Sequence, residues 1–296
     1  MNANIIGRRD FLRYAATITA GTTLLSETGF AQSRSKRAKL RKALQLGMLP
    51  RQLSDEDKFK LAKKCGFDGI EGSPMSDLEA ARRLGRLARQ AGVPIHSIVR
   101  GGWDAPFSDP DPKVIDKGFQ TMEVALRSAK VLGAETVLLV PAVVNEDVSY
   151  EQAYKRSQKH IKKLLPLAEE LGVVIAVENV WNKFLLSPLE FARYVDEFES
   201  PWLKAYFDIG NVILFGYSQD WIRTLGNRIV KIHLKDFKRK GYKWTNLLDG
   251  DVNWKEVRRA LDEIGYDGYL TTELRGGDEA YLTDLADRID KFFAMQ

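Results

Sequence analysis

From Leu44 onward, short apolar runs alternate with longer amphipathic ones along the chain. Most of the short runs are apolar throughout, which is typical of strands that are buried on both faces. Eight such runs are present, at 44–49, 67–72, 93–99, 136–142, 173–179, 203–209, 229–236 and 268–274. The strict alternation predicts that these strands form a parallel sheet.

Helical patterns lie between the predicted strands, most clearly at 76–91, 113–132, 150–171, 188–198 and 254–264, and a last helix covers about 278–293. Several of them end on the glycine that is common at a helix C-terminus, as at Gly92, Gly133, Gly172 and Gly265. Eight such units in a chain of this length predict an α/β fold, a single-domain (β/α)8 barrel. A doubly wound open sheet is the alternative, although no Gly-rich dinucleotide loop follows the first strand.

The N-terminal residues have a different pattern. Arg8 and Arg9 precede an apolar run from Tyr14 to Leu25, which small residues near Ala31 follow. This predicts a twin-arginine signal peptide over 1–31, a basic linker over 32–43 and the barrel over 44–296, and an amphipathic first helix is the alternative. The run is too short to span a bilayer. We therefore expect the twin-arginine export machinery as a partner and an exported, periplasmic protein.

The formal charge of +5 comes from this N-terminal region. Residues 1–43 hold nine of the 45 Lys and Arg but only two of the 40 Asp and Glu. The rest of the chain has 36 basic and 38 acidic residues, a net charge of −2. A nearly neutral body lacks the basic footprint of a nucleic-acid-binding protein, so we expect no nucleic-acid partner.

Polar residues end several strands, which is where (β/α)8 barrels carry their chemistry. Glu178, Asp208, His233 and Glu273 belong to four consecutive predicted strands. Three carboxylates and one imidazole suit Mn²⁺, Mg²⁺, Co²⁺ or Zn²⁺, whereas a structural zinc site would be closed by thiolates. A single acid at a strand end is often a helix cap, but capping does not readily explain four at equivalent positions.

The strand-end motifs also resemble those of a known family. They are VIAVEN (174–179), YFDIGN (206–211), IVKIHLKD (229–236), LLDGDVNW (247–254) and YLTTEL (269–274). Over about residues 44–293 the chain resembles the xylose-isomerase-like TIM barrel superfamily, in the branch of sugar phosphate isomerases/epimerases, ketose 3-epimerases and hydroxypyruvate isomerases. The resemblance implies that Glu178, Asp208, His233 and Glu273 hold one divalent metal, with Mn²⁺ expected first.

The resemblance implies a reaction as well. In this superfamily a proton is removed from a carbon next to a carbonyl and returned, through a metal-stabilised enediolate. Transferred to this chain, Glu178 and Glu273 are the catalytic pair, and which of them is the base stays open. We therefore expect a divalent-metal-dependent isomerase or epimerase that acts on a sugar or sugar derivative.

Six further residues are candidates for binding the substrate. Asn211 stands where many ketose epimerases have a histidine, and Lys235 is a cation near the end of the seventh predicted strand. The others each have a structural alternative: an ion pair for Glu71, a core position for His96, and packing for Trp103 and Trp181.

Two other functions are also compatible with the sequence. A lyase could use the same enolising site to eliminate a glycosyl group from a 3-keto-glycoside, and export favours such a substrate because sugar phosphates are scarce outside the cytoplasm. A non-catalytic periplasmic sugar-binding protein is a second alternative. A zinc endonuclease of the same fold is excluded, because its metal cluster needs more histidines than the three in this chain. Superfamily members often dimerise or tetramerise, so a homo-oligomer is also open.

Overall fold

Eight parallel strands close into a barrel in the computed structural model of this chain, which describes residues 39–296. The strands are β1 (Arg41–Gln45), β2 (Gly69–Gly72), β3 (Ile95–Gly101), β4 (Thr136–Leu139), β5 (Val174–Glu178), β6 (Leu203–Asp208), β7 (Ile229–Leu234) and β10 (Tyr269–Thr272). The first strand, β1, pairs in parallel with both β2 and β10, which closes the barrel. The predicted single-domain (β/α)8 fold is confirmed.

Helices surround the strands, in the order α1 (Asp55–Lys64), α2 (Leu78–Gln90), α3 (Pro112–Leu132), α4 (Tyr150–Ile161), α5 (Leu165–Leu171), α6 (Pro188–Asp196), α7 (Ser218–Leu225), α8 (Trp254–Glu263) and α9 (Glu279–Ala294). Side-chain caps begin several of them: Ser149 caps α4 and Asn253 caps α8 by accepting backbone N–H groups. Gly133 and Gly172 adopt the left-handed conformation after α3 and α5, as their positions predict.

The first strand lies earlier in the chain than its apolar run predicts. It begins at Arg41, within the stretch predicted as linker, and Leu46–Met48 form a 3-10 turn instead of strand. The cations at its start explain the difference. The Arg41 guanidinium lies 4.1 Å from the centre of the Tyr269 ring, and Lys42 pairs with Asp290 at 2.7 Å. Long basic side chains can cover apolar surface in this way, and a hydropathy pattern does not register it.

The seventh predicted strand is interrupted. It ends at Leu234, and the chain continues as a short strand, β8 (Asp236–Lys238), paired antiparallel with β9 (Lys243–Thr245). The buried carboxylate of Asp236 accepts hydrogen bonds from the backbone of Phe237, Gly250 and Val252 and from the Trp254 indole. These bonds tie the hairpin to the segment that leads into α8.

The core fills the barrel and the space between strands and helices, with fully buried aromatic residues such as Phe59, Phe191, Phe207 and Phe292. Within residues 39–296, the helices are too short or too polar for any of them to cross a membrane. The predicted signal peptide, 1–31, and most of the predicted linker lie outside the described residues.

Candidate metal centre and active site

Glu178, Asp208, His233 and Glu273 converge at the C-terminal end of the barrel. One ligand atom from each lies within 4.8 Å of those of the others. Strand pairing brings them together: Asp208 is directly opposite His233 across β6 and β7, and Glu178 ends β5 beside Tyr206. Glu273 follows β10, where its backbone N–H still donates to the carbonyl of Leu234.

The carboxylates face one nitrogen of the imidazole. His233 Nδ1 lies 2.7 Å from Glu178 Oε1, 2.9 Å from Glu273 Oε2 and 3.9 Å from Asp208 Oδ2. Asp208 and His233 are buried, and Glu273 is the most accessible of the four. Oxygen and imidazole donors converging from four directions fit a divalent cation such as Mn²⁺. These residues therefore could hold one metal ion.

The other nitrogen of His233 is bound to Glu71. His233 Nε2 lies 2.8 Å from Glu71 Oε2. A carboxylate behind a ligating histidine fixes the ring orientation and the tautomer, and it raises the basicity of the ligand. This placement favours a positioning role for Glu71 over the predicted contact with substrate.

Glu71 is itself held in place by neutral donors and is only 1% exposed. Its carboxylate accepts from Tyr206 Oη at 2.6 Å, from Ser97 Oγ at 2.8 Å and from Gln45 Nε2 at 3.2 Å. Together with His233, these three donors satisfy the buried charge of Glu71, which would otherwise be costly. These hydrogen bonds favour the ionised form of Glu71, which can pair with His233.

A second network positions Asp208. Its backbone N–H donates to Asn179 Oδ1, and its carbonyl accepts from Asn179 Nδ2, both at 2.9 Å. The backbone N–H of Asn211 donates to Asp208 Oδ1 at 2.7 Å, and the Asn211 side chain donates to the Asn179 carbonyl. Asn211, predicted to bind substrate, therefore uses its amide nitrogens to support a ligand, although its side-chain oxygen is not engaged in these bonds.

Lys235 places a positive charge beside two of the carboxylates. Its ammonium lies 2.8 Å from Glu273 Oε2 and 3.1 Å from Asp208 Oδ2. The position is consistent with the predicted role of Lys235 at the substrate, because the same ammonium borders the ligand cluster. It also lies 5.5 Å from the centre of the Trp244 ring.

The two catalytic candidates differ in acidity. Burial raises the pKa of Glu178 to about 7, against the opposing effect of His233. For Glu273, His233 and Lys235 outweigh the effect of burial and lower the pKa. Burial also opposes the charged form of His233, but Tyr206 and the surrounding carboxylates raise its pKa well above the usual range. Two carboxyls whose pKa values are separated by their surroundings can serve as an acid–base pair.

Two of the predicted substrate contacts lie elsewhere. His96 is the second residue of β3, stacked on Tyr269 with ring centres 4.1 Å apart, and its Nε2 lies 3.2 Å from Thr271 Oγ1. This buried position fits the core alternative, because β3 runs five residues further before it reaches the mouth of the barrel. Trp103 follows β3 in an exposed loop and is 53% exposed. No ring contact joins Trp103 to the site among the described residues.

Trp181 does lie beside the site. Its indole Nε1 donates to the carbonyl of Asn211 at 2.9 Å, and its ring stacks on Trp244, with ring centres 5.0 Å apart. The placement keeps the predicted role of Trp181 open and brings Trp244 beside it.

Residue-by-residue reading of the strand ends missed the supporting groups. Tyr206 precedes Asp208 by two positions on β6, so the two side chains share the face that points into the barrel. Asn179 directly follows the ligand Glu178. The period of two along the strands was the available signal for Tyr206, whereas the partner of each group depends on contacts between distant strands.

Comparison with known proteins agrees with this architecture. The family model described as "Xylose isomerase-like TIM barrel" matches residues 59–291. The chain belongs to this family. As a xylose isomerase-like TIM barrel, it carries its convergent polar side chains at the end of the barrel where the fold places chemistry.

Curated relatives of this xylose isomerase-like barrel include two Escherichia coli proteins. The SgbU protein of strain K12 is 31% identical over 248 residues, which cover 76% of this chain and 85% of SgbU. The L-ribulose-5-phosphate 3-epimerase UlaE of strain O1:K1 / APEC is 26% identical over 237 residues, covering 74% of this chain and 81% of UlaE.

A solved structure shows the same fold. The 3-keto-D-glucoside 4-epimerase YcjR from E. coli, in its apo form, aligns with a TM-score of 0.73 at 17% identity. The alignment covers 86% of this chain and 99% of YcjR. At this identity the likeness shows the fold alone.

Proposed function

We propose that this protein is a divalent-metal-dependent carbohydrate epimerase or isomerase. The observation that carries the proposal is the approach of Glu178 and Glu273 to one imidazole nitrogen, at 2.7 and 2.9 Å, within a cluster of metal-binding side chains. The name of UlaE, an L-ribulose-5-phosphate 3-epimerase, supports the same class of reaction.

In the proposed reaction the two glutamates exchange a proton with the carbon next to a sugar carbonyl. Glu178 and Glu273 both lie beside the same imidazole nitrogen, so one of them can accept the proton and the other can return one. A bound divalent ion, for which Mn²⁺ is our first choice, would act as a Lewis acid on the substrate oxygens. Lys235 would add a second positive charge beside them.

Proton exchange in D₂O tests this proposal. We would incubate the Mn²⁺-loaded protein with free ketoses, aldoses and 3-keto-glycosides and follow each α-proton by NMR. We expect one class to lose its α-proton signal, and we expect Glu178→Gln and Glu273→Gln each to reduce the rate at least about 100-fold. Exchange that both variants retain would remove these residues from the mechanism.

The products of the same experiment separate the alternatives. An epimer or isomer supports the main proposal, whereas release of an alcohol from a 3-keto-glycoside would identify a lyase. Export, if it occurs, favours the lyase, because an exported enzyme would meet unphosphorylated glycosides and few sugar phosphates. Sugar binding without exchange in the metal-loaded protein would favour a sugar-binding protein.

We infer that the protein is exported by the twin-arginine machinery, from the Arg8–Arg9 pair and the apolar run after it. Replacing both arginines by lysine keeps the charge but removes the pair that this machinery reads. We expect a tagged wild-type chain in the periplasmic fraction and the double variant in the cytoplasmic fraction. Equal distribution of the two chains would rule out this route.

A further inference from the structure

A group of aromatic side chains stands beside the metal centre. We call it the aromatic wall: Trp181, Phe237, Tyr242 and Trp244. Phe237 and Trp244 are directly opposite each other in the β8–β9 hairpin, so they share one of its faces. Trp181 contacts both, with ring centres 5.5 Å from Phe237 and 5.0 Å from Trp244, and Tyr242 lies 5.7 Å from Trp181.

The inner rings of the wall are fixed in place, and its outer rings are accessible to solvent. Phe237 is fully buried, and the indole of Trp181 is fixed by its hydrogen bond to Asn211. The outer rings are accessible: Trp244 is 43% exposed and Tyr242 is 59% exposed. Exposed aromatic rings that pack on buried ones offer a ligand contact area at a small cost in side-chain entropy.

The wall continues directly from the proposed catalytic centre. The ammonium of Lys235 lies 5.5 Å from the centre of the Trp244 ring and 2.8 Å from Glu273 Oε2. Asn211, which supports Asp208, is also the acceptor for Trp181. A group that stacks on Trp244 would therefore lie close to Lys235, whose ammonium borders the ligand cluster.

The chemistry of this surface favours a neutral ring. The C–H face of a pyranose stacks on indole and phenol rings, and burying such faces is favourable without any charge on the ligand. Lys235, the cation that contacts the wall, is already engaged by Asp208 and Glu273. The wall thus offers a stacking surface beside the candidate metal centre, which suits a second sugar ring linked to the reacting one.

We propose that the aromatic wall is a binding subsite for the second ring of a glycoside substrate. This inference rests on the proposed function and narrows it to substrates with a second, linked ring, away from single-ring sugars. It assigns Trp244 and Tyr242 to substrate specificity and gives them no part in the proton transfer.

A matched pair of substrates tests the subsite. The Mn²⁺-loaded protein would be given 3-keto-cellobiose and methyl 3-keto-β-D-glucoside, which share the reacting ring, and kcat/KM for deuterium exchange would be measured. We expect a preference of about tenfold for the two-ring substrate. Trp244→Ala should abolish most of this preference by lowering kcat/KM for the two-ring substrate, with kcat/KM for the one-ring substrate unchanged. Phe215→Ala removes another half-exposed ring, outside the wall, and should preserve it.

The outcomes separate this inference from the proposed function. Equal kcat/KM for both substrates, or an equal loss for both in Trp244→Ala, would overturn the subsite and leave the epimerase intact. If neither substrate exchanges, saturation-transfer NMR with unoxidised cellobiose and methyl β-D-glucoside decides. A cellobiose signal that Trp244→Ala loses and Phe215→Ala keeps supports the subsite, and no signal in the wild-type protein overturns it.

Discussion

At the scale of single residues, the distinctive feature is the pairing of both His233 nitrogens with carboxylates. Nδ1 faces Glu178 and Glu273, and Nε2 is bound to Glu71. With Nε2 fixed in this way, Nδ1 is the nitrogen turned toward the ligand cluster. Glu71 acts through His233, and so we class it as a positioning residue.

Glu71→Gln should weaken metal binding while leaving the fold intact, because the amide keeps the shape of the carboxylate but not its charge. We expect the Kd for Mn²⁺ to rise about 10- to 100-fold, measured by isothermal titration calorimetry. Glu135→Gln is the matched control, since that carboxylate pairs with Lys231 instead of with the ligand cluster. An unchanged Kd in Glu71→Gln, or an equal change in the control, would contradict the assignment.

At the scale of elements, the loops after β6 and β7 must pack closely for the ligands to meet. A Cβ atom at Gly210 would lie 2.5 Å from the Cβ of Lys235 and 2.9 Å from its carbonyl carbon. Glycine is therefore needed in YFDIGN for the close approach of two backbones, and its φ is not in the left-handed region. The approach sets the distance between Asp208 and Lys235.

Gly210→Ala should force these two segments apart. We expect a loss of about 1–3 kcal/mol in the free energy of unfolding, measured by urea denaturation, together with weaker Mn²⁺ binding. Gly47→Ala is the control: no atom lies within 4 Å of a Cβ at that position, and its φ is ordinary. If both variants are equally stable, the close approach does not constrain this loop.

The stability of the β8–β9 hairpin depends on one buried carboxylate, that of Asp236. Asp236 accepts from Gly250, Val252, Phe237 and the Trp254 indole. Asp236→Ala would leave these buried donors without their acceptor, and we expect it to lower the free energy of unfolding by at least about 2 kcal/mol. Urea denaturation measures this loss. Asp251→Ala, which removes an exposed acceptor for the Arg239 backbone, should have a much smaller effect.

At the scale of the whole molecule, the mouth of the barrel concentrates negative charge. Glu71, Glu178, Asp208 and Glu273 are gathered there, with His233 and Lys235 as their cationic partners. Burying like charges together opposes folding, and an added cation relieves this cost. We therefore predict that metal binding and global stability are linked in this protein.

Mn²⁺ should accordingly raise the melting temperature. A ligand that binds only the folded state at 100 times its Kd adds about 2.7 kcal/mol, which for a domain of this size corresponds to roughly 5 °C or more. Scanning calorimetry with and without Mn²⁺ measures the shift, and Asp208→Asn, which removes a ligand charge, should reduce it strongly. An equal shift in the wild-type protein and in Asp208→Asn would show that Mn²⁺ binds outside this site.

The alternation of strands and helices follows from the amino-acid sequence alone, and so does the choice of four residues for the candidate metal centre. Both follow from local rules: side-chain periodicity distinguishes strand from helix, and parallel strands of a barrel bring their C-terminal ends to one rim. Glu178, Asp208, His233 and Glu273 could therefore be selected without knowing any contact between them.

The roles of the other polar groups become visible only in the folded chain. Glu71 and His96 both lie on apolar strands, yet one orients His233 and the other packs on Tyr269 deeper in the barrel. Their roles depend on strand register, which contacts between distant segments set. The hairpin that carries Trp244 could not be predicted from the sequence for the same reason. Its strand pairing and its contact with Trp181 join residues that are brought together only by folding.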